Sequence, residues 1–391
     1  IFGGMKSVLY TSVLQTPILL LGSLIILVLG FKELGGWDEM MRVCGAVTVN
    51  DYGDTMTNLI RSNDDANFPW LGALIGSAII GFWYWCTDQF IVQRVLSGKN
   101  EMEARRGTIF GAYLKLLPVF LFLIPGMIAF ALHQKYIGAG GEGFLPMLEN
   151  GTANADAAFP TLVAKLLPAG VKGLVVCGIL AALMSSLASL FNSSAMLFTI
   201  DFYKRFRPQT SEKKLVGIGQ VATVVIVILG ILWIPIMRSV GDVLYTYLQD
   251  VQSVLAPGIA AAFLLGICWK RTSAQGGMWG LISGMVIGLT RLGAKVYYSN
   301  AGEVADSTFK YLFYDMNWLF FCGWMFLFCI IVVIVVSLAT EAPTAEKIQG
   351  LVFGTATKEQ KASTRASWNH WDIIHTVIIL AITGAFYWYF W

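Results

Sequence analysis

Four stretches of this sequence place polar side chains inside otherwise apolar runs. Lys115 stands in GAYLKLLP, about 12 Å into a helix counted from Gly107 at about 1.5 Å per residue. Gln249, Asp250 and Gln252 interrupt LYTYLQDVQSVLAPG, where Pro257 and Gly258 can bend the helix. Ser185, Ser186, Ser189, Ser193 and Ser194 crowd ALMSSLASLFNSS together with Asn192. In GFWYWCTDQF three aromatics run directly into Thr87, Asp88 and Gln89. Polar groups are costly away from water and by default face a cavity or a partner. An ammonium donates hydrogen bonds, and an amide both donates and accepts. Hydroxyls and freed carbonyls offer the oxygens that a hard cation such as Na+ wants. Three of the stretches also have a plainer reading. Lys115 can snorkel to the interface. Serines can simply let helices approach closely. The aromatics can be an interface belt at a helix end, with Arg94 close by. A polar, proline-containing helix over 244–258 suits a cavity wall.

The elements that carry these groups are membrane spans. Of 391 residues, 56% are hydrophobic and 13% charged, against roughly 25% charged in a soluble domain. That excludes an ordinary soluble enzyme, a disordered chain, a collagen and a disulfide scaffold. A formal net charge of +3 is too small to suggest nucleic acid. A span needs about 20 apolar residues. Nine candidates cover roughly 8–30, 70–92, 107–131, 171–201, 215–238, 243–268, 277–297, 316–339 and 373–391. The runs are continuous rather than alternating, which disfavours a barrel. FPTLVAKLLP reads as a short interfacial helix, and 340–372 as a polar, loosely ordered segment.

Lysine and arginine set the expected orientation. Arg94, Lys99, Arg105 and Arg106, then Lys204, Arg205, Arg207, Lys213 and Lys214, then Lys270 and Arg271, all fall on one side. That side is read as cytoplasmic, and 31–69 as external. Asn150-Gly151-Thr152 is a glycosylation sequon in a predicted outer loop. Five of the six cysteines lie in apolar runs and Cys44 in a polar one, so packing residues are expected rather than disulfides or a metal site. No HExxH, GxSxG or P-loop is present, and the three histidines lie outside or near the last span, which argues against an enzyme.

Several strings, in order and spacing, resemble the sodium/glucose cotransporter family of solute:sodium symporters over nearly the whole chain. They are IFGGMKS at 1–7, WYWCTDQ followed by FIVQR at 83–94, YLKLLP at 113–118, SSLASLFNSS at 185–194 with FTIDFYK at 198–204, and PGIAAAFLLGICWKR at 257–271. WYWCTDQ is most similar to the sugar and inositol branch. The resemblance implies an all-α, polytopic transmembrane, inverted-repeat fold of the leucine-transporter type, five helices plus five, present here in part. Residues 1–268 would belong to the transport core, holding its fifth helix and second repeat in about six spans. Residues 269–391 would form about three peripheral C-terminal helices. The first four core helices would then lie before Ile1.

The family's functional residues map onto matching positions. Tyr84 corresponds to the aromatic that stacks on the sugar and closes the inner side, and Trp85 follows it. Lys115 and Gln249 correspond to the sugar-site lysine and glutamine, and Tyr245 to the outer gate. Ala182, Ser185 and Ser186 correspond to sodium ligands, the alanine through its carbonyl. Three positions depart from the pattern. Ser12 stands where the family usually has aspartate, and Ala188 where a second sodium site has threonine, so one sodium per sugar is expected. Gly81 replaces a polar sugar-site residue. The implied function is sodium-coupled symport of a glucose- or galactose-type monosaccharide by alternating access in the plasma membrane. The partners would be a sugar or polyol, sodium and the bilayer, with Na+ as coupling ion and no organic cofactor. Myo-inositol or another small solute is the alternative cargo. A sugar sensor that binds without transporting is the alternative role.

Overall fold

A computed structural model describes residues 4–148, 151–240, 244–301 and 305–391. Asn150 of the sequon, residues 1–3 of the first family string and the side chain of Ser12 lie outside what is described. In chain order the helices are α1 (Gly4–Leu34), α2 (Trp37–Gly45), α3 (Trp70–Cys86), α4 (Gln89–Leu96), α5 (Glu101–Pro118), α6 (Ile124–Gly138), α7 (Ala158–Leu166), α8 (Ala169–Met196) and α9 (Lys204–Phe206). Then follow α10 (Glu212–Val240), α11 (Leu244–Cys268), α12 (Ala274–Asn300), α13 (Thr308–Lys310), α14 (Trp318–Ala339), α15 (Ala345–Ile348), α16 (Lys358–Ala366) and α17 (His370–Tyr389). Among the described residues β pairing is limited to isolated bridges such as Thr48–Thr55.

All nine expected spans fall on helices. Among the described residues seven helical stretches are long and apolar enough to cross a membrane, or eight when the bent pair α3–α4 counts as one. The expected span over 277–297 is the exception. It folds as α12, but its glycines, Arg291 and Lys295 hold down its hydropathy. Proline shapes two of the others. Pro118 ends α5 and Pro125 opens α6, and a π-helical turn, Val119–Leu123, joins them. Proline lacks an N–H and crowds the preceding turn, so a wider turn there is a physical consequence of sequence. A second π turn, Leu197–Tyr203, follows α8.

The chain forms two compact units, one from Ile1–Thr57 with Tyr113–Ile236 and the other from Asn58–Ala112 with Met237–Trp391. In the first, Ile26, Leu34, Met40, Cys44, Ile128, Leu132, Leu162 and Val175 build the core. There α8 lies so close to α1 that a Cβ on Gly178 would stand 3.0 Å from Ile18 Cγ2. In the second, α3, α11 and α14 share a core of Ile79, Ile80, Ala256, Ala260, Trp318, Leu319 and Cys322. Beside it Val254, Ala261, Phe321, Met325 and Cys329 form another cluster. α10 and α17 are apolar yet almost unburied, the surface expected of helices bathed in lipid.

Two local expectations change, and a third holds in an unexpected context. The segment 340–372 is ordered rather than loose: Thr357 and Gln360 form a capping box at α16, and Asn369 and Asp372 another at α17. His133, expected outside the spans, is buried in α6, where its Nδ1 accepts from the Leu145 N–H at 3.0 Å. Cys44, despite its polar sequence context, is fully buried. Helix α2 turns Met40 and Cys44 inward and Asp38, Glu39 and Arg42 away. Its thiol donates to the Met127 carbonyl at 3.7 Å. Burial pushes this thiol up to about 11, so at neutral pH it stays protonated and unreactive. A maleimide reagent at pH 7 is therefore expected to spare Cys44 until the protein is denatured, as peptide mass mapping would show. Labelling in the native state would contradict the packing of α2.

Candidate functional site

The run WYWCTDQ ends one helix and starts another. The Trp83 carbonyl accepts from Thr87 N, Asp88 N and Thr87 Oγ1 at 3.0, 3.1 and 2.7 Å, which closes α3. The Asp88 side chain accepts from Phe90 N at 3.0 Å and opens α4 as its N-cap. The two helices bend by 49° at this point. The sequence left a broken helix and a simple aromatic belt both open; the geometry is that of a broken helix. Tyr84, half-buried, sits just before the break. Its ring meets the edge of Trp85 at 5.2 Å and 88°, and Trp85 itself is exposed. An adjacent aromatic pair beside a helix break is a surface suited to a flat, partly apolar, hydroxylated ligand.

In the same unit α11 carries Tyr245, exposed at 58%, and Gln249, half-buried. Helices α3 and α11 pack on each other through Ile79, Ile80, Ala256 and Ala260. The helices bearing the aromatic pair and the amide are thus neighbours. The other unit holds Lys115, Ala182, Ser185 and Ser186. Lys115 is exposed within its unit and lies one turn before the π turn. Along α8 the buried face runs through Val175, Gly178, Ser185, Ser189 and Ser193. Ser189 is fully buried, and Ser193 Oγ donates to its carbonyl at 2.8 Å. Ser186 lies off that face and is exposed, while Ala182 is half-buried. Most of the serine stripe packs, and Ser185 and Ser186 lie either side of the edge of the packed face.

One cluster escaped the sequence reading. Asp250, next to Gln249, turns its carboxylate toward α12. Lys295 Nζ lies 2.5 Å from Oδ2, and Arg291 Nη2 lies 3.6 Å from Oδ1, an ion pair too long for a hydrogen bond. Arg291 is completely buried. It donates to the Met316 carbonyl at 2.7 Å and the Leu312 carbonyl at 3.3 Å, and lies 4.0 Å over the Phe321 ring. The available signal was two cations spaced by four in an expected span, which places both on one helix face.

Against this background the comparisons with known proteins are decisive. Residues 1–284 match the family model described as the sodium:solute symporter family. The chain belongs to this family. It is 35% identical to the sodium/mannose cotransporter of Bos taurus over 100% of its own length and 69% of that protein. It is 36% identical to human sodium/myo-inositol cotransporter 2, covering 90% of this chain and 54% of the relative. With the sodium/glucose cotransporter 1 of Ovis aries it shares 38% identity over 87% of this chain and 54% of the relative. The chain thus spans about half the length of the latter two relatives. These relatives are named cotransporters, not enzymes. A solved Na+-coupled sialic acid symporter, in its substrate-bound outward-open state, matches with a TM-score of 0.61 at 20% identity. The match covers 88% of this chain and 64% of that one. It shows the fold, the inverted-repeat architecture of the leucine-type transporters that the sequence strings implied. The symporter family is one of multi-pass membrane transporters, in keeping with the seven or eight apolar helical stretches.

Proposed function

We propose that this symporter couples sodium entry to uptake of a monosaccharide of the glucose or galactose type, by alternating access across the plasma membrane. The observation that carries the reading is the match, at 35–38% identity, to relatives named for mannose, myo-inositol and glucose. The broken α3–α4 helix and the polar residues of α8 and α11 support it. Residues 1–268 act as transport core and 269–391 as its periphery. Tyr84 and Trp85 offer ring area to the apolar face of a pyranose at little entropic cost. Lys115 donates to sugar hydroxyls, and Gln249 both donates and accepts. Tyr245 forms part of the outer gate. The Ala182 carbonyl and the Ser185 and Ser186 hydroxyls ligate sodium; all three donors are oxygens, as a hard cation requires. Sodium binds first, sugar follows, the outer gate closes, and opening of the inner side releases both.

Ser12 and Ala188 replace the residues that would serve a second cation, so one sodium accompanies each sugar. One charge crossing about 100 mV supplies about 2.3 kcal/mol. At about 1.4 kcal/mol per tenfold, that alone sustains nearly 50-fold accumulation. A second cargo, myo-inositol, is favoured by a comparable identity, 36%, to an inositol cotransporter. The test is radiolabelled glucose uptake by the intact protein in liposomes, with galactose, mannose and myo-inositol as competitors. Uptake should follow an imposed sodium gradient and move about one charge per sugar. Uptake indifferent to sodium would rule out symport, and about two charges per sugar would defeat the reading of Ser12 and Ala188.

A further inference from the structure

We propose that Asp250, held by Lys295 and Arg291, is a positioning residue that fixes the rotation of α11 and so the aim of Gln249. The inference rests on the assignment of Gln249 to sugar binding. It starts from the seam between α11 and α12. A Cβ on Gly284 would stand 3.0 Å from the Cα of Gly258, and one on Gly288 would press on the carbonyl oxygen of Val254. Asp250 meets Arg291 and Lys295 one turn further along the same line. Positions 258, 254 and 250 on α11 thus face 284, 288 and 291–295 on α12 in antiparallel order. Glycine contacts allow the two backbones to touch but set no unique rotation, because glycine has no side chain to interlock. The ion pair at the end of the seam supplies the missing registration, a use for which buried polar groups are best attested.

Gln249 precedes Asp250 and projects about 100° away around the helix. Whatever fixes Asp250 against α12 fixes the direction of Gln249 off the seam. Arg291 carries the constraint further, because it also holds the carbonyls of Leu312 and Met316 and lies on Phe321 of α14. The helix expected to be peripheral therefore orients a residue of the transport core. A loss of this clamp leaves α11 folded but lets the amide sample directions that miss the sugar hydroxyls. Such a defect appears in apparent sugar affinity rather than in the number of transporters.

The experiment measures sodium-driven glucose uptake by the intact protein in liposomes, with protein content determined separately. Asp250→Asn and Lys295→Met are each expected to raise the sugar KM about tenfold while the maximal rate per transporter changes little. The double variant should be no worse than either single one, because the two side chains act as a unit. Lys295→Arg, which keeps the charge, should keep the KM near that of the parent. If Asp250→Asn fails to reach the membrane, Lys295→Met decides, since that side chain is 22% exposed and tolerates replacement better. A KM unmoved by Lys295→Met, with only the yield or maximal rate lowered, would overturn the positioning role and leave the sugar reading intact. No sodium-driven uptake by the parent protein would overturn both.

Discussion

Replacing Arg291 with methionine is expected to cost about 3–5 kcal/mol of stability, the range for breaking a buried ion pair by removing one partner. Three separate losses add up in the same direction. The part-buried Leu312 and Met316 carbonyls lose their donors; an unmet buried polar group costs about 1–3 kcal/mol. The Asp250 carboxylate loses one of its two cations. The Phe321 ring loses the guanidinium 4.0 Å above it, a contact of about 2 kcal/mol when desolvated. Methionine fills much of the vacated volume, so a cavity does not dominate the result. Arg291→Lys keeps the charge but not the planar fork that spans two carbonyls, and should fall between parent and methionine. Thermal unfolding of the detergent-solubilised protein, followed by size-exclusion recovery, reads the effect. A melting temperature equal to the parent's would mean that the guanidinium is not buried as described.

How much of this was legible in the sequence follows from the range over which each interaction acts. Helices came through as continuous apolar runs, because a span must satisfy its backbone internally and cover itself with apolar side chains. The break at Thr87–Asp88 was also local: a residue able to cap follows three aromatics, and Asp88 caps α4 through a neighbour two positions away. Cys44 was harder. It stands among Asp38, Glu39 and Arg42, and only the helical period shows that positions 40 and 44 turn to the same, buried side. The ordered segment 340–372 carried its own signatures, Thr357 with Gln360 and Asn369 with Asp372, which polarity alone obscured. The cluster of Asp250, Arg291 and Lys295 was not legible as a cluster. Its halves lie on different helices, and only the seam of Gly258, Gly284 and Gly288 brings them together.

The serine stripe of α8 yields the sharpest functional contrast, because the proposed sodium site gives different roles to two residues of the same type. Ser185→Ala is expected to raise the sodium concentration for half-maximal uptake by about tenfold, the effect of losing about 1.4 kcal/mol from a ligand set. A hydrogen-bonding oxygen facing a charged partner contributes about 1.5–3 kcal/mol, so the shift sits just below the low end of that range. Ser189→Ala is the control. Ser189 is fully buried on the packed face of α8, and its carbonyl already accepts from Ser193 Oγ. Alanine is smaller than serine by one oxygen and keeps the close approach of the helix to its neighbour. Its replacement should therefore lower thermal stability by no more than about 1 kcal/mol and leave the sodium response unchanged. Ser186→Ala, at an exposed position, should lower sodium affinity without any change in stability. The measurement is uptake at fixed sugar and varied sodium, paired with a melting curve taken in sodium-free buffer. If Ser185→Ala and Ser189→Ala behave alike, with stability reduced and the sodium curve unmoved, the stripe is packing throughout and the sodium ligands must be sought elsewhere.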